Sequence, residues 1–191
     1  MRYNKKYLEQ LVFLCGVLLV PLMTSAQTAS ERAAKVSGDD FVRAFLGNCA
    51  QSPGDFDRIV SASKALGFAD LPEEMKPLMA PQDPKAEFVG YYAETGEAAP
   101  YFVGVSRSVV DGQSFTACAI ANPYIDTAEV VSALQSFLQL GDPADDETAM
   151  GQRYRIWIAD ELPQGSYISL TDAEPMGYGG ATLALLAPSI N

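Results

Sequence analysis

The chain has 191 residues, of which 48% are hydrophobic and 19% charged, a composition typical of a globular protein. It carries 13 Lys and Arg against 24 Asp and Glu, and this acidic balance argues against binding to nucleic acid or docking on an anionic membrane. The sequence contains no histidine, which excludes catalytic triads with an imidazole base, Cys–His nucleophiles and His-ligated zinc.

The N-terminal residues have the pattern of a secretory signal peptide. Basic side chains within the first six positions precede an apolar stretch from Leu11 to Leu22, and small side chains follow up to Ala26. The apolar stretch is about 12 residues long against the ~20 that span a bilayer, so a transmembrane anchor is the weaker interpretation. A lipoprotein is also weaker, because Cys15 lies inside the apolar stretch. We expect a signal peptide over residues 1–26, a single domain over residues 27–191, and a periplasmic or secreted protein with no membrane association after cleavage.

Two cysteines, Cys49 and Cys118, follow the predicted leader. Because an exported protein folds in an oxidising compartment, we expect these two cysteines to form a disulfide. The alternative is a reactive thiol or a redox pair. The sequence has no CxxC motif, and no histidine or basic cluster that would lower a thiol pKa, so the structural disulfide is favoured.

The first helix of the domain is predicted to begin near Ser37 or Asp39, since both residue types are good N-caps. Its Phe41, Phe45 and Cys49 recur at a spacing of four, which places them on one face. The same spacing directs Cys49 toward the core, as a structural disulfide requires.

A second helix is predicted after Pro53 and Gly54, which break the first one, and Gly67 supplies its stop. The next segment, residues 70–84, contains four prolines. Because proline disrupts a helix interior, we expect an ordered surface connection there, with at most one helical turn near Glu73 to Lys76.

Six strand-like segments and one further helix follow. The helix is predicted to run from Asp126, which resembles the N-cap of a capping box with Glu129, to a stop at Gly141. The acidic residues from Asp142 to Glu147 are predicted to form a loop. The six predicted strands are Ala86–Glu94, Tyr101–Arg107, Gln113–Asn122, Gln152–Ala159, Ser166–Asp172 and Ala181–Ala187.

The predicted order of elements is therefore α-α-βββ-α-βββ. Short connections, such as Asp111-Gly112, make the strands within each triplet antiparallel neighbours. The expected fold class is α+β, with two layers: an antiparallel sheet of about six strands and helices packed on one face. The way in which the two triplets join is left open.

Several patterns could carry chemistry, and each has a plainer interpretation. The acidic run Asp142–Glu147 could bind calcium, but it lacks EF-hand spacing and Pro143 interrupts it, so a solvated loop is favoured. Ser61 and Lys64 have the spacing of Ser–Lys enzymes, but the partner motifs of those enzymes are absent. The glycines within Gly177–Gly180 match no phosphate loop and are expected to permit a turn before the last strand.

Paired carboxylates could hydrolyse a glycoside without histidine. Glu87 and Glu94 flank the first predicted strand, and Asp160 and Glu161 end the fourth. No pair is distinguished by its spacing or context. We therefore assign no catalytic residue, no metal ligand and no cofactor.

The strand Gln152–Ala159 carries the most unusual pattern in so acidic a chain. Alternation along a strand places three apolar residues toward the core and two arginines with the sole tryptophan on the outer face. The predicted outward row is Arg153, Arg155 and Trp157, and the predicted core row is Tyr154, Ile156 and Ile158. Arg and Trp are enriched in interface hot spots, so the outward row is a candidate binding surface. The plainer interpretation is an outer sheet face on which arginine stacks over tryptophan.

The layout of the chain combines an export leader, Cys49 in an early helix, Cys118 in a central strand and a mixed order of helices and strands. This layout resembles that of uncharacterised small exported proteobacterial proteins. The resemblance implies a periplasmic location and carries no activity or site residues.

We expect an exported, non-enzymatic binding or interaction protein. The sequence offers no nucleophile motif or cofactor fingerprint, and its acidic surface favours a basic protein or peptide partner through electrostatic steering. The alternative is a carboxylate-dependent hydrolase acting on envelope polysaccharide, which would need two facing carboxylates in a cleft, one with a raised pKa. The oligomeric state is left open.

Overall fold

A computed structural model of the chain describes residues 36–95 and 98–190. The predicted signal peptide, residues 1–26, lies outside these ranges, as does Gly96 in the first predicted hairpin. None of the helices in these two ranges is long and apolar enough to span a membrane.

Three α-helices lie in the described ranges. Helix α1 spans Gly38–Phe45 and continues directly into a π-helical turn at Leu46–Ala50. Helix α2 spans Phe56–Ala65, and helix α3 spans Thr127–Leu138. Side-chain oxygens accept hydrogen bonds from the free N–H groups at the start of each helix, as N-caps do, and they belong to Ser37, Asp55 and Asp126.

Helices α1 and α3 are joined at their N-termini. The carboxylate oxygen Oε2 of Glu129 accepts a hydrogen bond from the backbone N–H of Gly38 at 3.3 Å. A Cβ added at Gly38 would lie 2.5 Å from the backbone of Glu129, so this approach requires glycine. The contact fixes the start of α1 against the first turn of α3.

All strands in the described ranges belong to one antiparallel sheet of eight. In chain order, strands β1 to β8 span Ala69–Asp70, Glu87–Thr95, Ala98–Val110, Gln113–Asn122, Asp145–Ala149, Gln152–Trp157, Tyr167–Asp172 and Ala181–Pro188. Their order across the sheet is β1-β2-β3-β4-β8-β7-β6-β5. Two meanders therefore meet at the centre, where β4 pairs with β8.

The α+β class and the antiparallel sheet are confirmed, but the predicted six strands and their order were wrong. Strand β1 is two residues long, and β5 occupies part of the acidic stretch that was predicted as a loop. Aspartate and glutamate are depleted in strands, so the acidic run gave no strand signal. Strand β6, which pairs with β5, partly compensates for the low strand preference of these acidic residues. The guanidinium of Arg153 donates two hydrogen bonds to Asp146, at 2.8 and 2.6 Å.

The three helices pack on one face of the sheet and form the main core with it. A disulfide between Cys49 and Cys118 joins the π-helical turn to β4, with a Cα–Cα distance of 5.3 Å, which confirms the predicted pairing. Both cysteines are buried. Other core residues on this face are Phe41, Phe45, Ile59, Val103, Ile120, Leu134, Leu170 and Leu183.

The opposite face of the sheet is also partly covered. The proline-rich segment predicted as a surface connection buries Leu71 and Met79 on this face and holds a 3-10 turn at Lys76–Leu78. A Cβ added at Gly90 would lie 2.9 Å from Leu71, and one added at Gly104 would lie 3.4 Å from Met79. The two glycines thus let the segment lie directly on the sheet as a second, smaller layer.

Candidate functional site

The predicted outward row on β6 lies on the face that the helices cover. Trp157 is 2% exposed and packs in the main core, and Arg155 is also buried. The prediction that Trp157 and Arg155 face outward was therefore wrong. The alternation itself holds, since Tyr154 and Ile156 point to the opposite face, but they are buried there as well. Because side chains on both faces of β6 are buried, the positions of the apolar residues did not show which face the helices cover. Ile158 was predicted to lie in the core, but it follows the strand and is exposed.

Two ion pairs hold β6 to its neighbours. The hydrogen bond from Arg153, which is 40% exposed, holds the pKa of Asp146 on β5 below its usual value. Arg155 pairs with Asp172 on β7, and both side chains are buried. Asp172 also accepts a hydrogen bond from the backbone N–H of Glu174 at 3.0 Å. These arginines therefore stabilise the sheet, and Arg153 is the member of the row whose side chain reaches solvent.

A cavity of about 80 Å³ lies at the end of the sheet where β4 and β7 end and β8 begins. Strand residues form its floor, and the segment around the 3-10 turn at Lys76–Leu78 forms its roof. Its lining residues include Met75, Leu78, Met79, Ala121, Gln152 and Asp172.

The backbone approaches itself closely beside this cavity. Gly180, which lines it, has a φ of +97°, a left-handed conformation that favours glycine. A Cβ at this position would lie 2.7 Å from the carbonyl oxygen of Pro123. The N–H of Gly180 donates a hydrogen bond to the carbonyl of Ile125 at 3.1 Å. Glycine therefore brings the start of β8 against the residues after β4 and closes that end of the cavity.

Methionine side chains line the cavity and also occur on the segments that adjoin it. The sequence has six methionines, and four of them lie in the described ranges. Met75 and Met79 line the cavity, and Met176 packs against the turn that precedes the lining residue Gln152. Met150 lies in that same turn and is 70% exposed. Methionine is flexible and polarisable and adapts to differently shaped apolar partners, so we call this feature the methionine cavity.

Large apolar side chains are exposed in the methionine cavity and on the segments that adjoin its lining residues. Leu78 lines it and is 38% exposed, and Tyr124, which follows a lining proline, is 42% exposed. With Met150 and Met176, these are four of the eight large hydrophobic residues exposed in the described ranges. A concentration of exposed apolar surface around a concave opening is typical of a ligand or partner site.

Exposed carboxylates neighbour, in the sequence, two segments that line the methionine cavity. Glu73 and Glu74 are exposed and directly precede Met75 in the roof, and Glu174 is exposed just beyond the end of β7. The nearby cation Lys76 pairs with Glu73. The mouth is therefore apolar at its centre and acidic at its edges.

The other sequence candidates do not assemble into a site among the described residues. Asp146 and Glu147, from the candidate calcium cluster, are neighbours on β5 and so point to opposite faces. The described residues hold no group of three or more Cys, Asp or Glu side chains that could bind a metal ion. Glu87 pairs with Arg107 at 2.6 Å, and the side chain of Glu94 lies outside the described structure. The remaining candidates, all exposed, are Ser61, Lys64, Asp160 and Glu161.

The methionine cavity was not predicted from the sequence. One signal was available: Met75, Leu78 and Met79 lie at positions i, i+3 and i+4 inside the proline-rich segment, the spacing of one apolar face. That spacing indicates a turn that packs on something. It does not identify the strand ends that complete the cavity.

Comparison of the chain with protein-family models, with curated proteins and with solved structures finds no match.

Proposed function

We propose that this protein is an exported, non-enzymatic binding protein and that the methionine cavity receives an apolar group of its partner. One observation carries the proposal: Met75, Leu78 and Met79 line one opening, and exposed Tyr124 directly follows the lining residue Pro123. Covering these side chains would remove apolar surface from water, which contributes about 25 cal/mol per Å².

The size of the cavity supports a small apolar group. A volume of about 80 Å³ exceeds what a few waters need and is below the ~150 Å³ of an engineered cavity that binds benzene. A branched aliphatic group is therefore a better fit than an aromatic ring. The side chains of Met75 and Met79 in the roof are flexible, so groups of somewhat different size can fit.

Binding is favoured over hydrolysis because the methionine cavity contains one carboxylate among its described lining residues, Asp172. That carboxylate is buried and is held by Arg155 and by the N–H of Glu174. A retaining or inverting glycosidase needs two carboxylates, one of them free to act as a general acid. Polysaccharide hydrolysis abolished by a single change of Asp or Glu would overturn the proposal.

The proposal can be tested by NMR with ¹³C-methyl-labelled methionine, using protein produced from the full chain. Each methionine signal is assigned by a single Met→Leu substitution, and 3-methyl-1-butanol is added as an uncharged analogue of a leucine side chain. We expect saturable shifts of the Met75 and Met79 methyl signals. Shifts that grow linearly without saturation, or that spare both signals, would contradict the proposal.

A matched pair of variants controls this experiment. Ala121 and Ala117 lie on the same strand and the same face and are both half-buried, but of the two only Ala121 lines the methionine cavity. Ala121→Leu should fill the cavity and abolish the saturable shifts, whereas Ala117→Leu should retain them. Equal behaviour of the two variants would show that the alcohol binds elsewhere.

A further inference from the structure

We propose that the occupant of the methionine cavity is an extended, basic peptide segment of a partner protein. One aliphatic side chain of the segment enters the cavity, and lysine or arginine side chains on both sides of it meet the acidic edges of the mouth. This inference rests on the proposed function, since it names the partner of the same site.

Exposed carboxylates adjoin the lining of the methionine cavity. Glu74 is exposed and directly precedes the lining residue Met75, and Glu174 is exposed and directly follows the lining residue Ala173, so two separate segments of the lining each carry an adjacent exposed carboxylate. Glu74 makes no ion pair among the described residues. A peptide with a positive charge on each side of its apolar residue therefore matches the mouth at both edges.

The cations near the mouth are already engaged. Lys76 pairs with Glu73 in the roof. Arg153 donates two hydrogen bonds to Asp146, which raise its pKa, and the charges of Asp172 and Glu174 also raise that pKa. The net field at the mouth is therefore that of carboxylates, and it attracts a cation.

The chemistry of the whole chain favours a peptide over a lipid. A net charge of −11 repels the anionic headgroups of a membrane surface, whereas it steers a basic protein toward the mouth. An extended peptide rises about 3.3 Å per residue, so residues one or two positions from the anchor lie about 3–7 Å from it along the chain. A lone aliphatic ligand would make no electrostatic contact with the carboxylates near the mouth.

The test compares four short peptides, each acetylated and amidated, by titration against the labelled methionine methyl signals. They are Lys-Lys-Leu-Lys-Lys, Ser-Ser-Leu-Ser-Ser, Glu-Glu-Leu-Glu-Glu and Lys-Lys-Ser-Lys-Lys. We expect the first to shift the Met75 and Met79 signals and to bind about fivefold to tenfold more tightly than the second, and the glutamate peptide to bind most weakly. The preference for the lysine-flanked peptide should shrink when sodium chloride is raised from about 50 to about 300 mM, because salt screens exposed charges.

Charge variants of the protein complete the test. The double variant Glu74→Gln/Glu174→Gln should bring the lysine-flanked and serine-flanked leucine peptides to within about twofold of each other. The matched control is Asp160→Asn/Glu161→Gln, which removes two exposed carboxylates beyond the far end of β6. The control should retain the preference for lysine.

The outcomes separate this inference from the proposed function. If 3-methyl-1-butanol binds in the cavity but the three leucine peptides bind equally well, the peptide inference is wrong and the binding function stands. If Lys-Lys-Ser-Lys-Lys binds as tightly as the leucine peptide, the anchor is not used and the inference is also wrong. If neither the alcohol nor any peptide shifts the methyl signals, both proposals fail.

Discussion

The indole Nε1–H of Trp157 donates a hydrogen bond to the backbone carbonyl of Gly141 at 3.1 Å. Gly141 follows helix α3, and Trp157 ends strand β6, so this bond connects the end of the helix to the sheet that it covers. The indole is otherwise surrounded by core side chains. The single polar atom of the indole therefore has a hydrogen-bond partner in a region that excludes water.

Replacement of Trp157 should therefore reduce stability. We expect Trp157→Ala to lower the free energy of unfolding by about 3–5 kcal/mol, because it leaves a large cavity in the core. Trp157→Phe keeps most of the apolar contact and should lose less, chiefly the hydrogen bond to Gly141. Urea unfolding followed by circular dichroism measures both values. A loss within about 0.5 kcal/mol for Trp157→Ala, the range of surface substitutions, would contradict the buried position.

The buried ion pair of Arg155 with Asp172 should respond differently to single and double substitution. Arg155→Met leaves the Asp172 carboxylate buried without its cation and should cost about 3–5 kcal/mol. The double variant Arg155→Met/Asp172→Leu removes both charges and should recover at least about half of that loss. A thermodynamic cycle from urea unfolding gives the coupling. Additive losses in the double variant would show that the two groups do not interact.

Acid should weaken the connection between β5 and β6. The hydrogen bond from Arg153 lowers the pKa of Asp146 in the folded state relative to about 3.9 in an unfolded chain. The stabilisation is therefore complete above the unfolded-state pKa and is lost as the pH falls through the lowered folded-state pKa. Because the Asp146 side chain is 34% exposed, we expect a contribution of about 0.2–1 kcal/mol.

The measurement for this pair is the free energy of unfolding between about pH 6 and pH 2. Asp146→Asn should show a shallower decline on acidification than the unaltered protein. Asp142→Asn serves as the control, since Asp142 is an exposed carboxylate just before the same strand and makes none of the ion pairs seen in the described ranges. Parallel curves for Asp146→Asn and the unaltered protein would rule out the pair as a source of acid sensitivity.

The disulfide should contribute strongly to stability. The two cysteines are 69 positions apart, and closing a loop of that length constrains the unfolded chain by roughly 4 kcal/mol in the entropic treatment. We expect Cys49→Ala/Cys118→Ala to lower the unfolding free energy by about 2–5 kcal/mol. Thiol labelling of exported protein under denaturing conditions should detect neither cysteine. Full labelling of both would show that the bond does not form during export.

The elements that the sequence predicted well are specified by residues close together in the chain. Strand β4 was predicted at the bounds that the structure shows, as a strand-like segment that directly follows the Asp111-Gly112 turn and ends at Asn122. Helix α3 begins after its predicted cap at Asp126, where the side chain accepts hydrogen bonds from two backbone N–H groups. Such local signals need no knowledge of the tertiary packing.

Features that depend on distant partners could not be predicted. The side of β6 that faces the helices is set by the packing of α1 and α3, and alternation alone allows either side. Strand β5 has an acidic sequence with little strand preference of its own, and it pairs with β6, from which Arg153 donates hydrogen bonds diagonally to Asp146. The methionine cavity combines a roof near Met75 with strand ends around Asn122 and Asp172, three regions far apart in the sequence.

The pairing of β4 with β8 has a consequence for the order of folding. In the central ladder, Phe115 pairs with Pro188 and Asn122 with Ala181, so the middle of the sheet is built from the middle and the last part of the described chain. During synthesis or translocation from the N-terminus, the meander β1–β4 emerges first. One edge of β4 then has no partner strand until β8 has emerged. Ladders between such distant segments form slowly, because a long loop must close before the contacts stabilise it. The interval in which that edge is exposed is the stage at which the chain is most open to pairing with another copy.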